Sequence, residues 1–287
     1  MPDFPVIDAH VHLYDPTTIP YPWMTSVPLL DEPHLTERFF SASAPVDVEA
    51  LVFVEVNAAP DRHVDEALFV TDLAASEPRI RALVAQMPLD RGESVLDDLE
   101  RYAAMPLARG VRTLLETHAH EPGWALRERF VAAVRRLPDH ALSFDLCLRH
   151  AQMPEAIELV RRCPDVRFVL DHLGKPPAAD GAFDPWRAHL TSLAAEPNVW
   201  CKISGLLTEA DHRHWTYEGV APYIDHVIDT FGFDRVMYGG DWPVSRLASS
   251  YADWVEVLDR VVLGASDDER RRLYRDNAIA FYRIEGV

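Results

Sequence analysis

The sequence is short of cysteine and of clustered positive charge. Its three cysteines, Cys147, Cys163 and Cys201, are odd in number and form no CxxC pair, which leaves no basis for a disulfide framework or a cysteine metal motif. Each lies in or beside an apolar run, so buried reduced thiols are expected. Lys and Arg total 28 against 46 Asp and Glu, a formal net charge of −18. No Lys/Arg-rich run offsets that charge. Such a surface repels nucleic acid and anionic membrane, so neither is expected as a partner. No apolar run approaches membrane-spanning length, and no basic segment followed by an apolar stretch marks a signal peptide. A soluble cytoplasmic protein is expected. Internal repeats, low-complexity tracts and linker-like gaps are also missing, so residues 1–287 read as one domain.

What is present is a rhythm. Apolar runs at Phe4–Ile7, Ala50–Val54, Ile80–Val84, Ala108–Arg112, Ala141–Leu148, Val166–Leu170, Val199–Ile203 and Arg235–Tyr238 read as eight strands. Helical periodicity separates nearly all of them, at Asp61–Ser76, Ser94–Ala104, Trp124–Leu137, Pro154–Cys163, Asp184–Ala195 and Tyr217–Phe231, and two more helices, Ser250–Leu263 and Asp267–Phe281, close the chain. Alternating strands and helices imply parallel pairing and right-handed crossovers. Eight units over this length predict a (β/α)8 barrel. An open doubly wound sheet is the alternative, but no Gly-rich phosphate loop follows the first strand. The first interruption is Tyr14–Pro45, a long Pro-rich segment carrying Tyr21, Trp23 and the Phe39–Phe40 pair. A loop of that length in a compact domain is usually functional, and a lid or pocket wall is expected.

In a parallel barrel all strand C-termini open on one face, where active sites sit. The strand ends here carry His10 and His12, Glu55, Gln86, Arg112, Asp145, His172, Lys202 with Ser204, and Asp241. One buried polar group is usually satisfied by its neighbours. Eight strand ends of them are costly to desolvate unless they bind something. His10 and His12, one residue apart at a strand end, turn their rings to one side and can share a metal ion or grip one polar substrate.

Three motifs carry a family resemblance. Asp8-Ala9-His10-Val11-His12, Leu170-Asp171-His172-Leu173-Gly174-Lys175-Pro176 and Tyr238-Gly239-Gly240-Asp241-Trp242-Pro243 resemble the amidohydrolase superfamily. The nearer likeness is to its sugar-lactone and pyrone-dicarboxylate lactonase branch, which Val199–Leu206 and the tail from Asp276 also resemble. The resemblance implies the superfamily's distorted barrel and hydrolytic chemistry at the strand ends, with His10, His12, His172 and Asp241 at its catalytic positions. The chain departs from the metal-rich members. Arg112 stands where many have a carboxylated Lys or a Glu, Asp145 stands where they have a His, and His150 lies too far along to replace it. A two-metal site is therefore not expected. His10, His12 and Asp241 offer ligands for one zinc, while some lactonases of the branch need no divalent metal.

Lactone hydrolysis needs an activated water, a polarised carbonyl and a proton for the leaving alkoxide. Asp241 is the expected base. Zinc, or His10, His12 and His172 as donors, would polarise the carbonyl. Arg112 and Lys202 either bind substrate oxygens or pair with Glu55 and Asp145 across the barrel. Glu55 and Gln86 are further candidate contacts. Tyr21, Trp23 and Trp242 either wall the sugar ring or pack in the core. The histidines outside the strand ends, His34 and His63 among them, are expected to be mostly solvated; whether His118 and His120 line the pocket is left open. The expected substrate is a neutral aldono-lactone, of L-fucose or L-rhamnose type, because a pyrone dicarboxylate would want several convergent cations. The alternatives are that pyrone activity, a non-oxidative decarboxylase of the same superfamily, and a carbohydrate-binding barrel without chemistry.

Overall fold

The computed structural model describes residues 1–287, the side chains of 93 and 94 excepted. Strands β1 (Val6–Val11), β2 (Val48–Val54), β3 (Ile80–Gln86), β4 (Ala108–Leu114), β5 (Ser143–Cys147), β6 (Phe168–Leu170), β7 (Val199–Ile203) and β8 (Val236–Tyr238) pair in chain order, all parallel. The helices are α1 (Thr36–Ser43), α2 (His63–Ser76), α3 (Val95–Ala103), α4 (Glu128–Val134), α5 (Met153–Arg162), α6 (Trp186–Ala194), α7 (Tyr217–Phe231), α8 (Tyr251–Val261), α9 (Asp267–Arg271) and α10 (Asn277–Tyr282). The seam between first and last strands closes just past their ends. There the His12 N–H donates to the Trp242 carbonyl at 2.8 Å, and the Asp241 N–H donates to the His10 carbonyl at 2.8 Å. The result is the nearly closed (β/α)8 barrel that the alternation predicts.

Side chains alternate across a strand, and the core divides accordingly. One set, including Leu51, Phe53, Leu83, Phe144 and Phe168, packs outward under the helices. The other, Ala50, Val52, Val54, Ala82, Val84, Val169 and Met237, fills the barrel with Phe281 and Tyr282 of α10. Nearer the mouth the same inward positions turn polar, at Arg112, Asp145 and Lys202.

Three elements differ from the sequence reading. The Pro-rich segment after β1 contains α1 and a short 3-10 turn at Pro22–Ser26. It is stitched to itself by a bridge in which Tyr14 and His34 exchange backbone hydrogen bonds of 2.9 and 2.8 Å. The stretch from Trp124 to Leu137 is not one helix, because Arg127 is extended at ψ 133° between a 3-10 turn and α4. The closing helix is interrupted by a π turn at Arg272–Asp276 between α9 and α10. Among the described residues no helix is long and apolar enough to cross a membrane.

Candidate active site

The site is built on the seam. Asp8 is fully buried in β1 and works as a tie: one carboxylate oxygen accepts the N–H of His10 at 3.0 Å and of Gly240 at 2.8 Å, the other the hydroxyl of Tyr251 at 2.8 Å. Burial raises its pKa to about 6 against those hydrogen bonds. This fixes the turn after β8 against the end of β1. Asp241 then sits at φ 52° and His172, after β6, at φ 53°. Left-handed backbone at non-glycine residues is uncommon and clusters at functional sites. Gly205 completes the fit. A Cβ there would lie 2.6 Å from His172 Nδ1 and 2.8 Å from an Asp241 carboxylate oxygen, so only glycine lets these chains approach.

The structure brings His10, His12, His172 and Asp241 together. The ring of His10 lies 4.9 Å from that of His12 and 4.5 Å from that of His172. Asp241 Oδ1 is 3.4 Å from His12 Nε2 and 3.8 Å from His10 Nε2. His12 Nδ1 bonds the Val54 carbonyl at 2.8 Å, and His172 Nδ1 bonds Ser204 Oγ at 2.9 Å. Burial pushes the Asp241 carboxyl up, but His172, His12 and His10 outweigh it and hold the acid well below the carboxylate range. Burial lowers His172 to about 4, so it is neutral near pH 7.

Beneath this lies a layer of buried charge. Arg112 donates from Nε to Glu55 Oε1 at 2.6 Å, from Nη2 to the Glu55 carbonyl at 2.7 Å and from Nη1 to Asp171 Oδ2 at 3.0 Å. Lys202 Nζ donates to Asp145 Oδ2 at 2.6 Å and stands 3.1 Å from Asp171 Oδ1 and 3.3 Å from His10 Nδ1. Tyr282 donates its hydroxyl to Asp145 at 2.9 Å. Burial opposes the charge on Asp171, but Lys202, His10 and Arg112 hold it well below the usual range. Of the two expected uses of Arg112 and Lys202, cross-barrel pairing is the one seen.

Above the layer opens a cleft of about 450 Å³, lined among others by His12, Trp23, Glu55, Arg112, His172 and Asp241. Five expected contacts do not line it. His10 and Lys202 lie below its floor, fully buried. Gln86 faces a neighbouring cleft and donates to the Ala58 carbonyl at 3.2 Å, because it lies on the far side of Glu55 and Asn57. Trp242 is buried edge-on against His34 and Phe39, 5.2 and 5.5 Å away, so it and Tyr21 belong to the core, and of these three aromatics it is Trp23 that walls the cleft. His34 and His63 are buried rather than solvated: Tyr14 and Trp242 enclose the first, and the second pairs with Asp98 at 3.0 Å. His118 stacks on Trp124 at 3.8 Å in the neighbouring cleft, and the side chain of His120 is 78% exposed. The sequence reading missed Glu116, Arg149, Lys175 and Glu209 in the cleft, as well as the tie made by Asp8. Position just past a strand end was the available signal for Glu116 and Lys175.

The residues present fit a divalent ion. His10, His12 and Asp241 each offer one ligand atom, all within 4.8 Å of one another, and two imidazoles with a carboxylate suit zinc. The Val54 carbonyl on His12 Nδ1 is the outer contact that orients a metal-binding imidazole and leaves Nε2 free. His10, Asp171 and His172 meet the same distance condition, but Asp171 already serves Arg112 and Lys202.

Comparison with known proteins points the same way. A family model described as Amidohydrolase matches residues 7–284. The L-fucono-1,5-lactonase of Burkholderia ambifaria is 32% identical over 292 residues, covering 97% of this chain and 96% of that protein. The L-rhamnono-gamma-lactonase of Scheffersomyces stipitis is 24% identical over 99% of this chain and 100% of its own length. The crystal structure of an amidohydrolase from Burkholderia multivorans with bound zinc superposes with a TM-score of 0.88 at 29% identity, covering 98% of this chain and 100% of that one.

Proposed function

The chain belongs to the amidohydrolase family, and from that premise we propose that it opens a neutral sugar lactone, of L-fucono- or L-rhamnono-lactone type, to the aldonic acid. The observation that carries the reading is Asp241, an anionic carboxylate in the cleft wall set among three imidazoles. Its left-handed backbone and the Gly205 contact fix its place, which proton transfer requires. In this reading Asp241 takes a proton from water, and the water oxygen adds to the lactone carbonyl. The acid so formed returns the proton to the ring oxygen as the acyl–oxygen bond breaks. With Ser204 Oγ–H donating to its Nδ1, His172 keeps its proton on Nε2 and offers it to the carbonyl oxygen. Trp23, its indole N–H held by the Val56 carbonyl at 2.8 Å, gives an apolar wall for the sugar ring. A divalent ion held by His10, His12 and Asp241 would supply Lewis acidity. The relatives named as sugar lactonases, and the zinc in the B. multivorans structure, support both parts.

Charge supports a neutral substrate. Among the described residues the cleft lining carries four carboxylates, Glu55, Glu116, Glu209 and Asp241, against three cations, Arg112, Arg149 and Lys175. Every one of those cations is in an ion pair. A pyrone dicarboxylate would find no unpaired pair of cations to clamp it. The cytoplasm is the compartment this reading implies, in keeping with three buried unpaired cysteines.

The test is a lactone panel followed by acid release, with and without chelator. Turnover of a neutral aldono-lactone above all others is expected. Faster turnover of a dicarboxylated pyrone, carbon dioxide release from an aromatic acid, or sugar binding without hydrolysis would each replace the reading with the corresponding alternative.

A further inference from the structure

Four loops, one after each of β4, β5, β6 and β7, bring Glu116, Arg149, Lys175 and Glu209 to one part of the cleft wall. Lys175 Nζ donates to Glu116 Oε2 at 2.7 Å. Arg149 bridges, with Nη2 3.6 Å from that oxygen and Nη1 3.7 Å from Glu209 Oε2. The carboxylates and the lysine are mostly buried, with side-chain exposures of 19%, 18% and 14%, whereas that of Arg149 is 57%. The mechanism above uses none of the four.

We propose that this cluster sets the charge of the substrate: by pairing its own cations it admits uncharged, hydroxyl-rich lactones and turns away carboxylated ones. The proposal rests on the lactonase reading and assigns its charge selectivity to particular residues. A hydroxyl both donates and accepts, so it can bridge a carboxylate and an ammonium without breaking their pair. A carboxylate only accepts. To reach Lys175 it must displace Glu116 from its 2.7 Å hydrogen bond, and to reach Arg149 it must lie beside Glu116 and Glu209, like charge against like charge in a partly desolvated wall. The cations are thus present but spoken for, and the two glutamates are the residues that withhold them.

The experiment removes the withholding charges. Binding of isophthalate, a flat dicarboxylate, and of L-fuconolactam, an uncharged hydrolysis-resistant ring, is measured by calorimetry on the intact protein. The wild type should hold isophthalate at least tenfold more weakly than the lactam. Glu116→Gln with Glu209→Gln should tighten isophthalate about tenfold to a hundredfold, the worth of one freed charged hydrogen bond. Adding Lys175→Met should abolish the gain, which separates freed cations from a general loosening of the wall. Wild type that binds isophthalate as tightly as the lactam overturns the proposal without any variant. So does a folded double variant whose isophthalate affinity is unchanged. Should the double variant not fold, Glu116→Gln alone should tighten isophthalate, and no change there overturns it. Hydrolysis is read separately. A wild type that opens no lactone sinks the lactonase reading, while the shift in isophthalate affinity still decides the role of the glutamates.

Discussion

Two networks of ion pairs are stacked in this barrel, one above the other, and they obey different physics. The lower joins Arg112 to Glu55 and Asp171, and Lys202 to Asp145 and Asp171, with every side chain at most 4% exposed. The upper joins Lys175, Arg149, Glu116 and Glu209 in the cleft wall, and its arginine is more than half exposed. Burial makes the lower network costly to break, because a partner removed leaves a charge that water cannot reach. In the upper one, solvent and screening replace much of what is lost at the exposed Arg149, while the Lys175–Glu116 pair is only partly reached by water. The same residue types at strand ends therefore act as scaffold or as recognition surface according to depth.

Asp241 lies where the two regions meet, and the largest effect is expected there. Asp241→Asn keeps shape and hydrogen bonding but cannot accept a proton, so turnover on the best lactone should fall about a hundredfold to ten-thousandfold while the protein stays folded. Rates and thermal melting measured together separate chemistry from stability. Near-normal turnover in a folded variant would pass the base role to His172.

Next comes the lower network itself. Lys202→Met fills most of the volume but leaves Asp145 and Asp171 without their shared ammonium. A loss of about 3–5 kcal/mol is expected in denaturant unfolding. Asp145→Asn added to it should return part of that, because one of the stranded charges is gone. A loss below about 1 kcal/mol would mean that depth does not separate the two networks.

A smaller effect tests burial away from the pairs. Burial, aided by Arg38 and Arg246, lowers His34 to about 4, while an unfolded histidine titrates near 6.5. The unfolded chain therefore binds the proton first. Stability from this group is complete above about pH 6.5 and is lost as pH falls toward 4. Discounted for screening, the loss is about 1–2 kcal/mol. His34→Phe should remove that component, read as the difference between the two stability–pH curves from pH 6.5 to 4. Parallel curves would show that His34 takes up its proton at the same pH in the folded and unfolded chain.

Depth is also what the sequence could not disclose. Alternation turns Arg112, Asp145 and Lys202 inward, and the motifs bring His10, His12, His172 and Asp241 to one face. Neither says how far below the mouth a side chain ends. Lys202 lies inside β7 and is sealed under the cleft, whereas Lys175 lies five residues beyond the end of β6 and lines it. Both are inward cations, and only the strand boundary distinguishes them. Trp242 and His34 were unreadable for another reason. Their surroundings are made by the segment between β1 and β2, where Phe39 of α1 and the Tyr14–His34 bridge close over them. Contacts that join residues 14, 34, 39 and 242 leave no periodic trace in the chain.

The smallest expected effect falls on Arg149, and it bounds the comparison from the other side. Its guanidinium lies 3.6 and 3.7 Å from its two carboxylates, beyond hydrogen-bond length, and its side chain is 57% exposed. Exposed pairs of this kind contribute about 0–1 kcal/mol, since Coulomb attraction in water barely exceeds the entropy of holding a long side chain still. Lys175 remains on Glu116 at 2.7 Å when Arg149 is removed, so the carboxylate that matters most keeps its partner. Arg149→Ala should leave unfolding free energy within about 1 kcal/mol of wild type, and that small difference should shrink further in high salt. Unfolding of both proteins at low and high salt measures it. A salt-insensitive loss of several kcal/mol would put Arg149 among the buried charges and erase the distinction between floor and wall.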